Sequence, residues 1–254
     1  MEPPRSLCSL PPEGAPAALG RPGGDRASLD DKDDSIVVLG IGNVLWADEG
    51  FGVRCVEALD QRFSFAPHVQ LIDGGTQGLY LIHHVQAARQ LLIFDAIDYG
   101  LEPGTLKLIE DDEVPRFMGA KKMSLHQTGF QEVLALAQLT ESFPEKVLLI
   151  GCQPEELEDY GGSLRPRIKL ALEDALALGV DALRRWGAEP SPRLAAPVGD
   201  EAVTVPTLSL GAYEAGRPAE DQACRIGDER FMPPRAAAAV TDTSGATPCA
   251  SVSR

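Results

Sequence analysis

Two adjacent acids, Asp48 and Glu49, sit inside a glycine-rich stretch that runs from Gly40 to Gly52. An apolar run at 36–39 precedes the stretch, and an amphipathic helix pattern follows it. A strand, a glycine loop and a helix in that order usually cradle a phosphate on backbone N–H groups. Carboxylates in the loop repel phosphate, so this loop suits a cation or an acid/base task. Other acids close other apolar runs: Asp73 opens Asp73-Gly-Gly-Thr-Gln-Gly78, and Asp95 opens Asp95-Ala-Ile-Asp98. His126 lies in Ser124-Leu-His-Gln127, at the start of a helical pattern. Ligands of open α/β sheets gather beyond the carboxyl ends of the strands, which places Glu49, Asp95 and His126 on one rim. Two carboxylates and an imidazole bind a divalent cation with coordination positions left open.

Each of these residues also has a plainer role. Asp48 or Glu49 serves equally well as a helix-start acid favoured by the helix dipole. Asp73 can hydrogen-bond the amides of its own Gly-Gly turn, a role placed ahead of catalysis. Asp95 is expected to be functional, because a carboxylate directly after an apolar strand needs a reason to be buried. His126 can be a helix cap or a neutral, partly buried histidine. Cys152 follows another apolar run and, with His126 as base, would make a nucleophile; a small buried residue at a strand end is the preferred reading. His83 and His84 are adjacent in a helix pattern, face different ways and are read as structural. Gly40 and Gly42 supply two glycines of a dinucleotide fingerprint, with Asp73 where a ribose-binding acid would stand. The third glycine position is Leu45, and this counts against an NAD site, as do the acids at 48 and 49.

The elements that must carry these groups alternate. Strand-like segments fall at 36–39, 69–72, 91–94, 105–109 and 146–150, and helix-like segments at 51–63, 79–88, 125–139 and 165–186. Val53, Val56, Leu59 and Phe63 share one helix face, as do Ile168, Leu172, Ala175, Leu176 and Leu183. Several strands are apolar throughout, so both faces of the sheet should be covered. The pattern predicts a three-layer α/β/α sandwich with a mostly parallel sheet. Residues 1–34 read as a disordered leader, 35–188 as the folded domain, and 189–254 as a Pro/Ala-rich, largely disordered extension in which Cys224–Met232 is dense in charge.

The 254 residues carry 38 acids against 23 lysines and arginines, a net charge of −15. That excess argues against nucleic acid and anionic membranes as partners. The five cysteines are scattered with no C-x-x-C pair, so neither a zinc finger nor a disulfide framework is indicated. No apolar run has the roughly 18 residues of a spanning helix, and no secretory signal pattern opens the sequence. A monomer in the reducing cytoplasm is the expectation.

Taken together, Gly40-Ile-Gly-Asn-Val-Leu-Trp-Ala-Asp-Glu-Gly-Phe-Gly52, Asp73-Gly-Gly-Thr-Gln-Gly78, Phe94-Asp-Ala-Ile97 and Ser124-Leu-His-Gln127 resemble the nickel–iron hydrogenase maturation endopeptidases, in the subgroup serving uptake hydrogenases. The resemblance spans about 35 to 187; the stretch ahead of it lies outside, and an upstream-assigned start codon would account for that equally well. The resemblance implies one twisted five-stranded sheet between helical layers. It implies removal of a short C-terminal peptide from the hydrogenase large-subunit precursor once nickel is inserted. It also implies that Glu49, Asp95 and His126 contact metal, a Ni2+ carried by the substrate rather than by the enzyme, with Glu49, Asp95 and Asp73 as the candidate catalytic carboxylates of an aspartyl-type peptidase. A nickel-sensing chaperone that grips the same precursor without cutting would need the same three metal contacts.

Overall fold

A computed structural model describes residues 34–118, 125–197 and 199–217, with only the backbone described at 116–118, 125–128 and 200. The leader expected at 1–34 lies outside these residues apart from Asp34, and so does Cys224–Met232. The strands are β1 (Ile36–Ile41), β2 (Phe63–Ser64), β3 (Val69–Gly75), β4 (Gln90–Ala96), β5 (Leu106–Glu110), β6 (Lys146–Cys152) and β7 (Ser191–Pro192). The helices are α1 (Phe51–Arg62), α2 (Ile82–Ala87), α3 (Glu113–Met118), α4 (Leu125–Leu139), α5 (Pro166–Arg185) and α6 (Leu210–Gly216). Five strands form one sheet in the order β3-β1-β4-β6-β5; β3, β1, β4 and β6 are parallel, and β5 runs antiparallel along the edge.

The apolar strands sort their side chains by the two-residue period. Ile36 and Val38 of β1, Leu92 and Phe94 of β4 and Ile150 of β6 pack with α1 and α5. Val37 and Leu39, Leu91 and Ile93, and Leu149 pack on the other face with α2, α3 and α4. The expected three-layer sandwich with a mostly parallel five-stranded sheet is therefore the fold. The helix expected over 79–88 divides into a 3-10 turn, Gly78–Leu81, and α2.

The glycines around β1 serve packing. A Cβ at Gly40 would overlap the backbone of Gly52, and one at Gly52 would overlap the carbonyl oxygens of Ile41 and Phe94. Only glycine lets the first turn of α1 lie this close against β1 and β4.

The loop between β1 and α1 is pinned to the far side of β4. Asp48 is fully buried, and its carboxylate accepts the backbone N–H groups of Glu155 at 2.9 Å, Glu156 at 2.8 Å and Arg165 at 2.7 Å. The Asp48 amide donates to the Glu156 carbonyl, and Gly161 donates to the carbonyl of Leu45. Trp46 forms a β-bridge with Tyr160 and meets its ring edge-on at 5.2 Å. In the sheet order β4 stands between β1 and β6, so these bonds carry the β1 loop across the carboxyl end of β4.

The extension expected to be disordered from 189 departs from that reading over its first part. Residues 189–217 fold back over α1. The Arg54 guanidinium donates to the Leu208 carbonyl, and the amides of Leu210 and Val203 donate to Glu57 and Asp60. Glu214 of α6 accepts from Ser163 and Lys169, and Phe63–Ser64 pairs with Ser191–Pro192. Composition misses this because few apolar side chains do the holding: the buried charges of α1 bind the backbone of the strap.

Two stability outcomes follow. Asp48→Asn keeps the shape of the side chain but replaces one of the two acceptor oxygens with an NH2 group that faces backbone N–H donors. It should cost about 3 kcal/mol and lower Tm by roughly 6–12 °C, measured by thermal and urea unfolding; unchanged stability would remove the clamp from this account. Ending the chain at Pro190 leaves Arg54, Glu57 and Asp60 without their backbone partners and should lower Tm well below that of the full chain. A truncated chain with the full-length Tm would show that the strap contributes nothing.

Candidate active site at the carboxyl edge of the sheet

The 3-10 turn Ala47–Gly50 carries Glu49 and packs against β4. Ala47 holds a left-handed backbone, φ 41°, which fixes the sharp change of direction ahead of Glu49. Because Asp48 is drawn inward to the β6 loop, its neighbour Glu49 stays half-buried at the carboxyl edge. The ambiguity between the two acids is thereby divided: Asp48 is the structural one.

Asp95 is fully buried one residue before the end of β4. It pairs in register with Gly151 of β6 and lies on the face covered by α2, α3 and α4. Tyr99 belongs to the same face, and its hydroxyl occupies the space that a Cβ on Gly151 would need. Burial, followed by the charge of Asp95, pushes the Tyr99 phenol well above its ordinary range. The loop leaving β4 is tied down by Gln153, whose carboxamide oxygen accepts the amides of Tyr99 at 2.7 Å and Leu101 at 3.1 Å.

Asp73 does not join Asp95. It pairs in register with Gly40, whose missing Cβ faces α1, so Asp73 lies on the opposite face of the sheet. Burial raises its pKa; the N–H of Gly75 and the charge of Arg54 oppose this, while Glu57 adds to it. Strand alternation thus separates Asp73 from Asp95 and turns it toward α1, where it holds its own Gly-Gly turn. Cys152 is also on the α1 and α5 face, fully buried. Burial and the charge of Asp48 push its thiol up to about 12, which removes it as a nucleophile. His83 and His84 lie on α2 with ring centroids 3.9 Å apart, and burial lowers the pKa of His84.

His126 lies in the first turn of α4, and its side chain is outside the described residues. The backbone places that turn: Gly129, one turn later, approaches Gly78 so closely that a Cβ on Gly129 would stand 3.4 Å from the Gly78 Cα. The start of α4 is thus held against the loop after β3, on the same face as Asp95. Among the described residues no three His, Cys, Asp or Glu side chains form a group able to hold a metal ion. Sequence reasoning missed Gln153 as an organiser, although a polar residue directly after an apolar strand was the available signal. Among the described residues no helix is long and apolar enough to cross a membrane.

Comparison with known proteins agrees with this architecture. The family model of the hydrogenase maturation proteases matches residues 53–182. The hydrogenase expression/formation protein HoxM of Cupriavidus necator is 72% identical over 198 residues, 78% of this chain and 98% of its own. The hydrogenase 2 maturation protease of Escherichia coli is 42% identical over 159 residues, 62% of this chain and 96% of its own. Among solved structures, the hydrogenase maturating endopeptidase HybD from E. coli superposes with a TM-score of 0.60 at 41% identity, covering 63% of this chain and 98% of that one. A parallel sheet with buried Asp95 and half-buried Glu49 at its carboxyl edge, and sequence identity at this level over most of the chain, make the protein a peptidase belonging to the hydrogenase maturation protease family.

Proposed function

We propose that the chain is the endopeptidase that removes a short C-terminal peptide from the nickel-loaded precursor of a hydrogenase large subunit, acting as a monomer in the cytoplasm. The observation that carries this reading is the fully buried carboxylate of Asp95 near the end of β4, with the turn that carries half-buried Glu49 packed on that strand and held there by the Asp48 clamp. A carboxylate without exposure is costly unless a cation or hydrogen bonds offset it. A protein substrate that arrives with its own cation offers such a charge only when loaded.

In this reading Glu49, Asp95 and His126 contact the Ni2+ that the precursor holds through its own ligands. Carboxylate oxygens alone make a weak nickel site, since imidazole and sulfur donors suit this metal better. Affinity then depends on the donors of the precursor, and the apo precursor docks poorly. With the scissile bond set at the rim, Glu49 or Asp95 takes a proton from the attacking water as the carbonyl becomes tetrahedral. The same carboxyl group then gives the proton to the departing amine. Cys152 takes no part, because its thiol is buried and stays protonated.

The deciding experiment incubates purified protein with nickel-loaded and with apo precursor and weighs the products. Loss of mass from the C-terminus of the loaded form alone is expected. Equal cleavage of both forms would remove nickel from the recognition, and tight binding without any loss of mass would identify a chaperone instead. Glu49→Gln and Asp95→Asn should each lower processing by at least about a hundredfold while the protein stays folded, whereas Asp73→Asn should retain it; circular dichroism run beside the assay separates these effects from unfolding. Thiol alkylation at pH 8 should leave processing intact, because a thiol with a pKa of about 12 is only about one part in ten thousand thiolate there. Inactivation that Cys152→Ala prevents would restore the cysteine as a nucleophile.

A further inference from the structure

We propose that Gln153 is a positioning residue for Asp95: its carboxamide fixes the loop that leaves β4 and, through Tyr99, the wall beside the Asp95 carboxylate. The inference rests on the peptidase reading above and adds to it a residue that does not touch substrate.

Gln153 is 6% exposed and directly follows β6. Its oxygen accepts the amides of Tyr99 and Leu101, and its nitrogen donates to Asp98 Oδ1 at 3.0 Å and to the Pro154 carbonyl at 3.3 Å. A primary amide has two lone pairs and two N–H donors to offer, and all four are used here. No other orientation of the group would satisfy this set, because a flip would aim N–H groups at the amides of Tyr99 and Leu101. Asp98 Oδ1 also accepts the amide of Gly100 at 2.9 Å. The loop from 98 to 101 is therefore held at three successive amides by one buried amide and its carboxylate partner.

The loop begins two residues after Asp95, and the Ile97 amide is anchored on the Cys152 carbonyl at 2.9 Å. Tyr99 lies in the middle of the loop. Its hydroxyl sits over Gly151, the register partner of Asp95, and the Lys107 ammonium stands 5.2 Å from its ring centroid. Any change in the path from 98 to 101 moves this ring and with it the packing around Asp95. Displacements of about 1 Å at a reacting group are enough to cost on the order of a hundredfold in rate. Four bonds on one side chain thus convert a long surface connection, which would otherwise be mobile, into a rigid support.

The test uses the full chain and nickel-loaded precursor, with kcat, KM and Tm measured on the same preparations. Gln153→Glu still accepts the two amides, but it cannot donate to Asp98 and faces it with a second charge. The expected result is a fall in kcat of about tenfold to a hundredfold with KM within about threefold of wild type. Adding Asp98→Asn removes the opposing charge while its Oδ1 still accepts the Gly100 amide, so the double variant should recover kcat by at least about threefold. Wild-type kcat in Gln153→Glu overturns the inference; so does a loss that follows Tm and is not recovered in the double variant. If Gln153→Glu does not fold, Gln153→Met, which removes all four bonds without adding charge, is judged by the same split between kcat and KM. If the wild-type protein cleaves no precursor, the peptidase reading fails separately, and the inference is then decided by hydrogen exchange: amides of residues 99–101 as well protected in Gln153→Met as in wild type overturn it.

Discussion

The Asp48 carboxylate is the interaction on which the rest of the edge depends. It takes three backbone N–H groups from the loop after β6 and from the start of α5, all at distances typical of charge-assisted bonds. Two effects oppose each other at this group. Burial raises its pKa, and the three N–H groups and Arg165 lower it, with burial the larger. A group whose folded pKa lies above its ordinary value binds its proton more readily when folded, so between the two values its contribution to stability falls as pH rises. The clamp is therefore costly to charge at neutral pH, and it persists because two oxygens in this place are needed to accept three buried donors. What the fold gains is geometric. One loop is drawn over the end of β4, and the acid next to the clamp is held where the chain alone would not hold it.

The glycine pattern follows from the same geometry. A loop that must cross a strand end and immediately enter a helix leaves little room, and Gly52 lets the first turn of α1 rest on the carbonyls of Ile41 and Phe94. On the opposite face Gly78 and Gly129 do the same for the start of α4. Both helices that flank the edge are thus placed by backbone contact, with no intervening side chain to flex. Spacing of this kind imitates a phosphate loop in sequence, while in the fold the glycines face helix backbone.

Much of the architecture was legible in the sequence because buried parallel strands are short, apolar and bounded by turns. Acids directly after such strands, Asp95 above all, mark the carboxyl edge without any knowledge of strand order. Strand order and register were not legible, and both matter. Asp73 and Asp95 each end an apolar strand, yet the pairing of Asp73 with Gly40 and of Asp95 with Gly151 puts them on opposite faces of the sheet. The division between Asp48 and Glu49 was hidden for a related reason: the partners of Asp48 lie over a hundred residues away. The strap at 189–217 was hidden by composition. Arg54, Glu57 and Asp60 recur at three-residue spacing and read as a solvated helix face, but they are buried beneath backbone that carries few apolar side chains.

The chain as a whole is strongly acidic, and its candidate site concentrates that bias where water is scarce. A buried Asp95 with Glu49 nearby, in a protein of net charge −15, cannot be stabilised by the general field of the molecule, which opposes further negative charge. Compensation has to be local, and it comes in two kinds. Hydrogen bonds and rigid packing from the β4 and β6 loops fix where the carboxylates sit, and these are built into the fold. A cation, in contrast, is favoured by that field, so an acidic enzyme with carboxylates at its sheet edge attracts positive charge delivered from outside. In the proposed reading, a substrate that brings a metal ion is favoured by that field at the moment of docking, and the same polypeptide without its metal is not. Under that proposal discrimination between the two needs no separate sensor, because the edge that would meet the metal is already fixed by the β4 and β6 loops.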